Sequence, residues 1–175
     1  MHCLWRLVPC TSLAPHCATA SHTPYDTCTV ITALRTGPQN MFPDVHHASL
    51  CLLNTNHTSV DVYTILGEGA QSPPYTSVAV APGTLIIHAL HSSTPVFIPD
   101  IISFSGPYSD LQFMHFVMGL RSVACLPLGL TQQQAVGVLR LGFNEPREWF
   151  ELDKVRGALL CVHGTSSGLR RVCAG

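Results

Sequence analysis

Between Gly119 and Phe143 the chain carries two apolar runs separated by one polar patch, and the rest of the fold has to accommodate them. Val123 to Leu130 is continuously apolar, Thr131 to Gln134 is polar, and Ala135 to Phe143 is apolar again. In the second run Leu139, Leu141 and Phe143 alternate with Val138, Arg140 and Gly142, the period-two pattern of a strand. Gly137 and Gly142 mark bulges or the close approach of another backbone. Arg140, set among apolar residues, belongs either on an exposed sheet face or beside an acid. Two adjacent apolar strands need a sheet to join and helices to cover it.

Composition allows one such core. The 175 residues are 46% hydrophobic and 11% charged, which suits a single domain, here residues 25–172, with a short tail at 173–175. A domain of this size buries roughly 70% of its unfolded surface. A net charge of −1, with Lys154 the only lysine, excludes the basic face that nucleic-acid binding requires. No apolar run reaches the roughly 18 residues that span a membrane, so no membrane partner is expected. Eight cysteines without a CxxC pair, and ten histidines scattered apart from His46-His47, read as buried thiols and ordinary histidines rather than metal ligands. A reducing, cytoplasmic compartment follows. Residues 1–24 contain no acid, and Ala18-Thr19-Ala20 has the form of a small-residue cleavage site. Arg6 and Pro9 interrupt the apolar core that a secretory signal needs. An organellar transit peptide is one reading of this segment; a poorly ordered leader is the favoured one.

In chain order, a first helix is expected over Asp26 to Arg35, stopped by Gly37-Pro38. Ala48 to Leu53 and Ser59 to Leu66 form a hairpin about the turn Asn54 to His57. Residues 67–77 read as a loop. Leu85/Ala89 and Ile86/Leu90 give a short helix with a wide apolar face, and Val96 to Ile98 a short strand. Ser109 is placed to cap a helix from Asp110 to Met118, which Gly119 ends. A last helix opens near Glu151, with Leu152, Val155, Leu159 and Val162 as a heptad-like seam. That seam either packs on the chain's own sheet or meets a partner helix.

This order is an α+β plan on one antiparallel sheet. Its motifs resemble those of the GAF domain, a PAS-like sensory module of signalling proteins. They are Ala48 to Leu53; Leu85 to Leu90 with Thr94 to Asp100; Gly119 to Ser122; Cys125 to Leu128; Val136 to Leu139; and Phe150 to Asp153. The resemblance covers about Asp26 to Val162. It implies a central sheet of about five or six strands with the terminal helices on one face. Short helices and loops between residues 67 and 119 would form a pocket on the other. On that resemblance Asp100, Phe104, Tyr108, Arg121 and Ser122 are the expected ligand-binding residues. Arg121 would pair with an anion, and Tyr108 or Phe104 would stack on a ring.

The resemblance leaves the cofactor unknown. Asn144, Phe150 and Asp153 keep the outline of a cyclic-nucleotide motif, but Glu145 stands where that motif has Lys and the spacing to Asp153 is short. Asp110-Leu111 occupies the place of the bilin-attaching Cys-His pair. The reading that follows is a regulatory small-molecule sensor, part of a larger signalling chain. Its expected partners are a small ligand and, through the terminal helices, a second copy. One alternative is an enzyme of the free methionine sulfoxide reductase type using Cys125, although its apolar setting reads as core and makes an enzyme the lesser expectation. The other is a dimerisation module without a ligand.

Overall fold

Among the described residues six strands pair antiparallel throughout in the order β3-β2-β1-β6-β5-β4. The computed structural model describes Leu34 and residues 37–54, 56–67, 76–131 and 134–157. Its elements are α1 (Gly37–Met41), β1 (His47–Leu53), β2 (Ser59–Leu66), β3 (Thr76–Ala79), α2 (Leu85–Ser92) and β4 (Val96–Ile98). There follow α3 (Leu111–Phe116), β5 (Ser122–Thr131), β6 (Gln134–Phe143) and a final helix, α4, over residues 151–157. The two sequence-predicted hairpins meet edge to edge through β1 and β6, from His47 opposite Gly142 to Leu52 opposite Gly137.

Alternation along these strands sends side chains to two cores. Leu50, Leu52, Tyr63, Ala124, Leu126, Leu139 and Leu141 build one, against Leu34 and Phe42 from the chain's early part. Trp149 joins that face, and α4 closes on it so tightly that a Cβ on Gly157 would sit 3.0 Å from the Leu126 side chain. Cys51, Val60, Val123, Cys125 and Val138 build the other, under Leu85, Ile87 and Leu90 of α2 and Leu111 and Met114 of α3. Each fully buried leucine contributes about 1.5–3 kcal/mol of transfer free energy, so both layers hold the sheet between them. Among the described residues, no helix is long and apolar enough to cross a membrane.

Local chemistry explains the connections. Asn54 turns the first hairpin: its Oδ1 accepts the backbone N–H groups of Thr58 and Ser59, and His57 adopts a left-handed φ of 57°. Thr84 caps α2 by accepting from the Ile87 N–H. Gly119, at φ 68°, ends the α3 segment with its N–H returned to the His115 carbonyl.

Four sequence expectations change. Gly37 and Pro38 do not stop a helix but stand at the start of α1, where proline's missing N–H costs nothing. Of the expected first helix, only Leu34 lies among the described residues, where it is helical and buried. The loop expected over residues 67–77 gives way at Thr76 to the edge strand β3, exposed at all four positions. Ser109 does not cap α3; its hydroxyl donates to the Gly83 carbonyl. The seam residues Leu152 and Val155 are 60% and 54% exposed and do not pack on the sheet, which α4 approaches at Gly157. Leu159, Val162, the leader at 1–24 and the tail lie outside the described residues.

Candidate functional site

The centre of the sheet, on the face that α2 and α3 cover, is not apolar. One row of paired residues crosses it: Thr64 on β2, Ser49 on β1, Arg140 on β6, Cys125 on β5 and Val96 on β4. The alternation that places Leu139 and Leu141 in the opposite core turns Arg140 to this side. Arg140 is only 8% exposed, and its Nε donates to Ser49 Oγ at 3.0 Å. Among the described residues, no carboxylate lies within 4.0 Å of its guanidinium. A buried cation without an acid beside it is costly and calls for a compensating group.

Other polar groups converge on the same face. His47 and Cys51 flank Ser49 along β1 at two-residue spacing, and Cys51 Sγ lies 3.9 Å from Ser49 Oγ. Burial, then the charges of Arg140 and His46, push the His47 imidazole down to about 4, so it is neutral near pH 7. Its Nε2 is buried and meets no hydrogen-bonding group among the described residues. Asp110 closes the face from above. Its Oδ1 accepts the Leu85 N–H at 2.9 Å, tying the start of α3 to the start of α2, while Oδ2 is buried and unbonded among the described residues. Burial raises the Asp110 carboxyl above the ordinary carboxylate range, although the Leu85 N–H and the Arg140 charge pull the other way.

The thiols are not activated. Burial pushes both Cys51 and Cys125 up, and the neighbouring Arg140 charge does not offset it. A nucleophilic cysteine needs the reverse balance.

The sequence-predicted site residues fall in three separate places. Arg121 and Asp100 pair with each other through three hydrogen bonds of 3.2 Å, where β4 leads into the following loop. For the Asp100 carboxyl, burial acts upward. The Ile102 N–H and the Arg121 guanidinium together outweigh it and hold the group low. Phe104 and Tyr108 stack on each other at 5.8 Å with planes 5° apart, and His88 meets Tyr108 edge-on. Both rings pack against the α2/α3 core. Ser122 is fully buried and donates to the Glu145 carbonyl at 2.8 Å. Its register with Phe143 puts it on the terminal-helix face, opposite the face of Val123 and Cys125. Sequence reasoning singled out Arg140 but not His47, Ser49 or Asp110. Period-two spacing from Cys51 was the signal that could have drawn the two β1 residues in.

The backbone arrangement recurs in solved structures. The GAF domain of a two-component sensor histidine kinase from Bacillus halodurans aligns over 78% of this chain and 92% of its own, with TM-score 0.60 and 16% identity. A segment of a methyl-accepting chemotaxis protein aligns over 83% and 90%, with TM-score 0.61 and 15% identity. The fold is that of a GAF domain. Free methionine-R-sulfoxide reductase from Neisseria meningitidis, solved with its substrate, also aligns, over 79% of this chain and 78% of its own, with TM-score 0.54 and 14% identity. No family model matches the sequence, and no curated protein matches it. In this GAF-like fold, then, the polar row centred on Arg140 lies on the sheet face opposite the terminal helices, roofed by α2 and α3.

Proposed function

We propose that the chain is a regulatory sensor domain of a signalling protein. A small molecule binds between the sheet and the α2/α3 roof, and the change in packing passes to the terminal helices on the opposite face. The observation that carries this reading is the cluster of Arg140, Ser49, His47 and Asp110 in the interior of the α2/α3 face. A scaffold with no ligand gains nothing from polar groups there, whereas a small-molecule site combines an apolar lining with a few convergent polar groups. The sensor kinase and chemotaxis neighbours support the signalling context. The inert setting of Cys125 weighs for a sensor over an enzyme of the reductase type. Phe104, Tyr108, Asp100 and Arg121 remain candidates for the rim.

The test is a thermal-shift screen of the full chain against nucleotides, haem, bilins and small metabolites, followed by amide hydrogen exchange with each compound that raises Tm. Slowed exchange in α2, α3 and the middle of β5 and β6 is expected. Protection confined to α1 and α4 would overturn the reading.

A second reading, compatible with the first, is that two copies associate through α4. Phe150, Leu152 and Val155 are all exposed along its start, and on that reading Leu159 and Val162 extend the seam.

A further inference from the structure

Resting on that reading, we infer that the ligand is a small anion, bearing a carboxylate or phosphoryl group, whose charged group sits on the Arg140 guanidinium. Three observations converge. The guanidinium has five donors in a planar fork suited to two oxygens of one anion. One donor, Nε, is committed to Ser49 at 3.0 Å, and the guanidinium makes no further hydrogen bond to a described residue. Ser49 accepts that bond, and its own hydroxyl hydrogen, which among the described residues meets only the weak acceptor Cys51 Sγ at 3.9 Å, can turn from it toward an anion. At the roof, Asp110 spends one oxygen on the Leu85 N–H and keeps Oδ2 buried and unbonded among the described residues. That oxygen accepts from a donor on the same ligand, an amine, amide or hydroxyl group. A molecule anionic at one end and donating at the other thus engages both Arg140 on the sheet and Asp110 at the roof.

The competing account is that Arg140 and Asp110 balance each other at a distance, with nothing between them. Under that account the site is a fixture of the folded chain, and added anions act on it only through ionic strength.

The experiment is thermal unfolding of the full chain with inorganic phosphate and, separately, succinate, each against sodium chloride at matched ionic strength. At ten times its dissociation constant, a bound anion raises Tm by roughly 3–6 °C for a domain of this size. The rise should disappear in Arg140→Met, which removes the charge at similar volume, and shrink in Ser49→Ala. A response to phosphate alone would assign a phosphoryl ligand; a response to succinate alone, a carboxylate. Should Arg140→Met fail to fold, the Arg140 Nε–Hε resonance of the wild-type protein, followed during the same titrations, supplies the readout. An equal rise in wild type and Arg140→Met, or no rise and no resonance shift beyond the chloride control, overturns the inference. If uncharged compounds instead protect α2 and α3 from exchange, the sensor reading stands and only the anionic ligand is lost.

Discussion

Ser49 Oγ and Arg140 Nε lie 3.0 Å apart across a directly paired position of β1 and β6, in the interior of the fold. The hydroxyl is the one described group bonded to a buried guanidinium, so removing it exposes the cost of that charge. Ser49→Ala is expected to lower stability by about 1–3 kcal/mol in urea unfolding. Arg140→Met added to Ser49→Ala should recover most of that loss, because an apolar side chain has nothing left to satisfy. Additive losses in the double variant would contradict this account.

His47 sets a pH dependence whose sign is fixed. Its folded pKa, about 4, lies below the unfolded value of 6.5, so the unfolded chain binds more protons between the two. Stability from this residue therefore rises with pH across that window and is fully present above it, with a size on the order of 3 kcal/mol. Asp110 runs the other way: its raised pKa favours the folded state at low pH and the benefit fades as pH climbs through that pKa. The difference between wild type and His47→Gln isolates the histidine. Free energies of unfolding should agree most closely near pH 7, where the imidazole is neutral in both states, and wild type should fall increasingly below His47→Gln toward pH 4; parallel curves throughout would show that the imidazole is not held neutral by the fold.

Arg147 fastens the terminal-helix face. Its guanidinium lies 4.7 Å from the Phe143 ring centroid, 5.2 Å from Trp149 and 5.5 Å from Phe42, and it pairs with Asp44 and Asp153. Asp153 also accepts the Phe150 N–H, closing the start of α4. Lysine keeps the charge but loses the planar fork and the stacking, so Arg147→Lys should destabilise by about 1–3 kcal/mol. A neutral result in chemical denaturation would reduce the aromatic cage to a surface ion pair.

Much of this architecture was legible in the residues. β1 and β5 announced themselves as continuous apolar runs, because both of their faces meet a core, and β2 and β6 by alternation, with the turn at Asn54 interrupting the pattern. β3 did not, since an edge strand exposed at every position carries no alternation to read. The α3 cap was misread because both Ser109 and Asp110 are capping types; only packing brings Asp110 to Leu85, 25 residues away in sequence. Arg140 stood out, but alternation states which face a residue takes and not what lies over it. That no described carboxylate comes within 4.0 Å of it is a matter of tertiary packing, which local pattern does not encode. Arg121 is an expected anion-binding residue only through the resemblance, and its pairing with Asp100 is a tertiary contact that local pattern does not reveal.

Gly137 provides a strict test of the junction between the hairpins. A Cβ there would sit 2.6 Å from the Cys51 carbonyl oxygen and 2.7 Å from Leu52 Cδ2. The first is backbone of the paired strand and cannot swing aside, so Gly137→Ala should cost about 2 kcal/mol or more. A variant within about 0.5 kcal/mol of wild type would mean that β1 and β6 are not in the register described.

The exposed start of α4 separates assembly from folding. Replacing Leu152 and Val155 together with Glu removes two apolar side chains that contribute little to the chain's own core. Light scattering should then report monomers where the wild type forms dimers, with the unfolding midpoint of the monomer unchanged. A wild-type chain that is monomeric at high concentration would remove the seam from the account.

A ligand site at the Arg140 row is tested most directly by amide chemical-shift mapping of the full chain. Titration with whichever of phosphate and succinate raises Tm should move resonances at Ser49, Cys51, Leu85, Asp110, Cys125 and Arg140 together, with one saturating dissociation constant. Shifts confined to the α4 surface, or to the Asp100–Arg121 pair, or none that saturate with either anion, would contradict it.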